Sequence, residues 1–172
     1  MPIYSLGELE PQVDPNAFVH PDAVLIGDVT VESGASVWPS AVLRGDFGRI
    51  EVRARSSIQD GTVIHAGPDF PVVVGPDAVV GHNAHLEGCT VEPWALVASM
   101  ATVLRRCIVR SHSVVAAGAV LLDDTEVPSH AMALGVPCQI RRDRVLEFAN
   151  RESVEAYVAN AERFRSQLRQ VA

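Results

Sequence analysis

No apolar run in this 172-residue sequence approaches the roughly 20 residues of a membrane span. Positive charge is in deficit: 14 basic against 21 acidic residues leave a net charge of −7. A nucleic-acid surface needs a basic patch, so no nucleic-acid partner is expected. Cysteines are few. Cys89, Cys107 and Cys138 form no metal-binding spacing and cannot all pair, which points to a reduced, cytoplasmic setting. The opening MPIYSLGELEP lacks the basic and apolar regions of a secretion signal, in keeping with that setting. What remains is 48% hydrophobic and 20% charged, enough for one soluble domain with a core.

What is present is a repeat. Val13, Val19, Leu25, Val31, Val37 and Leu43 are aliphatic at an interval of six. Small residues such as Ala17, Ala23, Ala35 and Ala41 follow four places later. The series restarts at Val52, Ile58 and Ile64, again at Val74, Val80 and Leu86, and then runs from Val91 to Leu121. A helix would show spacings of three and four. A short strand followed by a tight turn gives six, with the aliphatic residue inward and the small one at the corner. Each such unit buries its face only by stacking on the next, which is solenoid logic. The reading is an all-β solenoid, and its pattern resembles the hexapeptide repeat of the left-handed parallel β-helix, with about six coils over residues 1–140. Residues 141–172 change character. Val154, Tyr157, Val158, Ala161, Phe164, Leu168 and Val171 recur at helical spacing. A C-terminal α-helix is expected there, after a shorter one around 145–149, packing on the solenoid of its own or a neighbouring chain.

The interruptions carry information. Leu43 to Val52 is nine residues, Ile64 to Val74 ten and Leu86 to Val91 five. All three follow the third face of a coil and so fall at one corner, as functional insertions in repeat arrays often do. Stacking the coils places Arg44, His65 and Glu87 in one outward column and Pro39, Asp60 and His82 in another. His65 and Glu87 should then lie on adjacent rungs about 5 Å apart. His85 also points outward, about 6.5 Å further back along its strand. His82 lies across a corner, too far to share a metal with them on one chain. Prisms packed three-fold side by side would bring His82 of one chain to His65 and Glu87 of the next.

At these residues the sequence resembles the γ-class carbonic anhydrase family. The motifs are VLRGDFGRI (42–50), SIQDGTVIHA (57–66) and GHNAHLEGC (81–89), and the resemblance spans about residues 12–140. Within the family it is most similar to the phenylacetate-degradation and carnitine-operon accessory proteins. The resemblance implies a homotrimer with a divalent metal between subunits, zinc first, with iron or cobalt as alternatives. It implies His65 and His82 as ligands, Arg44 and Asp46 as an interface ion pair, and Gln59, with its neighbour Asp60, as the group orienting a metal-held hydroxide. Two positions depart from the family. Glu87 stands where a third histidine is expected. A carboxylate can complete such a set, but an anionic ligand lowers the metal's effective charge and makes its water less acidic. Phe47 stands where the archetype has an acidic proton relay.

Several readings stay open. Glu87 is the third ligand, or it pairs with Arg44 while His85 serves instead, or no metal binds. The expected activity is carbon dioxide hydration or acyl-CoA thioester hydrolysis. One alternative is a metal-stabilised scaffold or metabolite binder. Another is a hexapeptide acyltransferase with His112 as base. Elsewhere, Cys89 and Cys107 are expected as packing, His20, His112 and His130 as surface residues, and Trp38 and Trp94 at subunit contacts.

Overall fold

The computed structural model describes residues 2–171. Short parallel strands wind into a left-handed β-solenoid of about seven turns. Each rung pairs in register with the next, as in Ser57↔Val79 and Ile58, which faces both Val37 and Val80. The inward aliphatics form one continuous column: Leu25, Leu43, Ile64, Leu86, Val103 and Leu121 are all fully buried. The small residues, among them Ala23, Ala41, Ala84 and Ala101, fill the corners, where a larger side chain would collide with the rung above.

The corners also explain the turn chemistry. Ser40, Asn83, Met100, Arg106, His112 and other non-glycine residues hold a left-handed backbone there. The strain at each, of order 1 kcal/mol, is offset by the ladder on either side. The turn count exceeds the six expected from aliphatic spacing. After Leu121 the period of six continues through Val127 to Ala133, both buried. An alanine completes that last inward position, so an aliphatic criterion misses it.

The chain then turns back. Gln139–Arg141 pairs antiparallel with Met132–Leu134. Residues 145–149 form turns rather than the expected short helix. One helix, α1 (Arg151–Gln167), returns along the outside of the early coils. It packs on its own chain. Trp38, 5% exposed, touches Tyr157 and Phe164 edge-on, with ring centroids 5.6 and 5.1 Å apart. Trp38 is therefore a docking residue for α1, not an exposed subunit contact. Its indole nitrogen donates to both Ser36 Oγ and Ser57 Oγ at 3.0 Å. Trp38→Phe keeps an aromatic side chain but removes the indole N–H, leaving two buried hydroxyls without that donor. It is expected to cost about 1–2 kcal/mol, read as a lower denaturant midpoint at unchanged m-value.

His112 and His130 are likewise engaged. Their rings stack at 5.4 Å, and Phe148 stands edge-on to His112 at 4.8 Å. The Phe148 amide donates to His112 Nδ1 at 3.4 Å. Trp94 meets the same Phe148 ring at 4.9 Å. These corner side chains, expected as free surface or subunit contacts, seat the turn that leads into α1. His20 is also partly enclosed, its Nδ1 accepting from the Asp22 amide at 3.1 Å. Cys89 and Cys107 are buried and free, as packing residues should be.

Candidate metal site

The irregular corner is built from glycine. A Cβ on Gly27 would lie 2.3 Å from the Gly45 carbonyl oxygen, and one on Gly48 would lie 2.0 Å from that of Gly67. Backbones cross here at distances no side chain permits. That lets the strand Val42–Val52 run around the corner while carrying Arg44, Asp46 and Phe47 outward.

The column reads as the register requires. Arg44 pairs with His65, and His65 with Glu87, on successive rungs. Asp46 joins them: its Oδ1 lies 3.0 Å from His65 Nε2, and its Oδ2 accepts from Arg44. Burial opposes ionisation of Asp46, but the hydrogen bonds from His65 and Arg44 outweigh it and hold the carboxyl below its usual range. Arg44 is thus committed to Asp46. Glu87 takes its cation from elsewhere, with Arg105 Nε at 3.4 Å from Oε1. Its other oxygen, Oε2, lies 3.4 Å from His85 Nε2. The step of two residues along the strand is bridged because both side chains lean together.

His82 stands around the next corner. Its Nδ1 is 3.0 Å from Asp60 Oδ2, and both side chains are about half exposed (47% and 48%). An ionised carboxylate only accepts, so Nδ1 carries the proton and Nε2 is left free. That carboxylate–histidine pairing is the usual support of a metal-binding imidazole. Gln59, by contrast, is 5% exposed. Its backbone N–H donates to Val80 O at 2.9 Å and its backbone carbonyl accepts from the Thr62 N–H at 3.2 Å, so its backbone is part of the turn.

Beside the column lies a cleft of about 210 Å³. Phe47, Pro68 and Phe70 form its apolar wall, and His65, Glu87 and Arg105 its polar side. Gly88, at φ +55°, backs Phe70 so closely that a Cβ would come within 2.5 Å of the phenylalanine's own. Arg106 lies over the Phe70 ring at 5.2 Å from its centroid. Phe47 is 66% exposed and brings no titratable group. Neither Arg105 nor Phe70 is singled out by the motifs. The shortened step from Leu86 to Val91 pulls Arg105 back toward Glu87, a signal visible only once the coils are stacked.

Within one chain, no three His, Cys, Asp or Glu side chains among the described residues come together to hold a metal. The donor chemistry nonetheless suits one: two imidazoles and a carboxylate are a known catalytic zinc set. His65 and Glu87 share a column, while His82 offers a free nitrogen at a different corner.

No family model matches the chain. The carnitine operon protein CaiE of Escherichia coli (strain K12) is 38% identical over 143 residues, covering 83% of this chain and 73% of that protein. Gamma carbonic anhydrase 2, mitochondrial, of Arabidopsis thaliana is 40% identical over 138 residues, 77% of this chain. The chain spans about half the length of the plant relatives it matches, 50% in each case. Among solved structures, a hexapeptide transferase family protein from Anaplasma phagocytophilum gives a TM-score of 0.89 at 32% identity, covering 95% of this chain and 98% of that one. A putative acetyltransferase from Bacillus cereus gives 0.87 at 26% identity, over 95% and 96%.

Proposed function

Because the chain belongs to the gamma carbonic anhydrase-like family that includes CaiE, we propose that it is a metal-dependent hydratase or hydrolase working as a homotrimer. His65 and Glu87 of one copy and His82 of the next would hold the cation, with zinc preferred over iron or cobalt. The observation that carries this reading is the rung pair His65–Glu87, joined with a His82 whose Nδ1 is already occupied by Asp60. When bound, such a cation supplies Lewis acidity toward a carbonyl or water oxygen.

The chain's own residues do the rest. Asp60 fixes the tautomer of His82. Asp46, itself held by Arg44, orients the His65 ring. Phe47, Pro68 and Phe70 keep water from one side of the cleft and offer an apolar surface to an acyl chain. Carbon dioxide needs no such wall, so an acyl-CoA thioester is the favoured substrate and carbon dioxide the alternative. Gln59, whose backbone is spent on the turn, would orient the attacking water through its side-chain carboxamide. Among the described residues no helix is long and apolar enough to cross a membrane. Two buried free thiols are in keeping with work in a reduced cytoplasm.

A second reading has its own support. Both Glu87 oxygens face partners, Arg105 and His85, which suits a metal-stabilised scaffold with little turnover. An acyltransferase reading draws on the names of the solved neighbours, but His112, its candidate base, already accepts a tail amide.

The test sets thioester cleavage, across acyl-CoA chain lengths, beside stopped-flow carbon dioxide hydration on one preparation. Thioester cleavage is expected to exceed a His65→Ala control by at least roughly 100-fold, as loss of a metal ligand implies. Hydration should be slow, because Phe47 relays no proton. If neither activity exceeds the control, the scaffold reading stands instead.

A further inference from the structure

We infer that Arg105 is the internal counter-ion of Glu87, so that this carboxylate meets a cation as half of a near-neutral pair rather than as a free anion. The inference rests on the cation-binding reading above.

Arg105 sits one rung beyond Glu87, stacked on the corner between Leu86 and Val91 that is a residue short. Its Nε lies 3.4 Å from Glu87 Oε1, and His85 Nε2 lies 3.4 Å from Oε2. The two partners differ in kind. An imidazole is charged only when protonated, whereas a guanidinium is cationic at every working pH. Arg105 is therefore the permanent partner. The other arginines at this corner are committed elsewhere: Arg44 pairs with Asp46, and Arg106 with Asp123 and Asp124. Glu87 is the acidic group that Arg105 meets among the described residues. Both side chains line the same cleft, so an incoming cation meets the guanidinium and the carboxylate together.

Two consequences follow from charge alone. A cation approaching Glu87 competes with Arg105 for the carboxylate, so the arginine weakens binding. Its removal should strengthen it. A purely orienting role has the opposite sign, since loss of a group that positions a ligand lowers affinity. The effect is moderate, because Arg105 is 51% exposed and water screens the pair.

The experiment measures Co²⁺ affinity of the full chain by competition with a chromophoric chelator. It compares the wild type, Arg105→Gln, Arg105→Lys, Glu87→Gln and the Glu87→Gln/Arg105→Gln double variant. Arg105→Gln is expected to bind roughly fivefold more tightly. Arg105→Lys should stay near the wild type, since it keeps the charge. In the Glu87→Gln background, removing Arg105 should change nothing further, the signature of coupling through that one carboxylate. Equal or weaker affinity in Arg105→Gln overturns the inference and leaves the cation-binding reading intact. Tightening that persists in the Glu87→Gln background also overturns it, because it marks general repulsion rather than a pair. If no variant, including the wild type, binds Co²⁺, both readings fall together.

Discussion

His82→Ala should abolish divalent-cation binding, lowering affinity by about 100-fold or more, while leaving the solenoid's melting temperature within a degree or two. The imidazole is about half exposed, and its side-chain partner is Asp60, also at the surface, so little folding energy is lost. His65→Ala should abolish binding equally. The informative step is to mix the two variants. If a site draws His65 from one chain and His82 from the next, co-refolded chains rebuild intact sites wherever a His82→Ala copy, which keeps His65, adjoins a His65→Ala copy, which keeps His82. Random mixing predicts recovery of roughly a quarter of the wild-type sites. Equilibrium dialysis with Zn²⁺ before and after mixing measures this. No recovery would place both histidines in a site of one chain, or in none, and would remove the main argument for a shared centre.

Gly48→Ala carries the largest expected cost to folding. The new methyl would stand 2.0 Å from the Gly67 carbonyl oxygen, a backbone atom that cannot swing aside. Two excursions of the chain, around residues 44–49 and 66–71, must then separate. We expect a loss of about 3 kcal/mol or more, with the cleft displaced along with Phe47. Gly118→Ala is the control. It too lies at a corner, with φ +68°, but nothing lies within 4 Å of its added methyl. Many corners of this chain already hold larger residues in the same conformation, Met100 and His112 among them. Its cost should stay near 1 kcal/mol. Urea unfolding of both variants separates collision from backbone strain. Equal losses would show that the glycine-on-glycine crossing is not what fixes this corner.

Much of this architecture is legible in the spacing of aliphatic residues, because a period of six admits few other folds. The same register places His65 beside Glu87 and sets His82 apart, and the structure has both arrangements. What spacing cannot supply is the direction of long side chains. Glu87 sits in one column with Arg44, yet each finds another partner, because Asp46 follows Arg44 by one pleat and Arg105 is drawn in by a deletion. Trp38 looks like an exposed aromatic when only the solenoid is considered. The returning helix lies more than a hundred residues away in sequence and buries it. Local patterns carry no information about such distant closure.

The strand that turns back at Gln139–Arg141 has a further consequence for life in a crowded solution. A stack of parallel rungs offers its last open edge as a template onto which another chain could add, end to end and without limit. Here the growing edge of one face is met by a short antiparallel strand that ends in the exposed Arg141, with the exposed Arg142 next. An incoming parallel rung finds the wrong direction and a cluster of charge. On that face the reversal blocks the end-to-end addition of a further parallel rung.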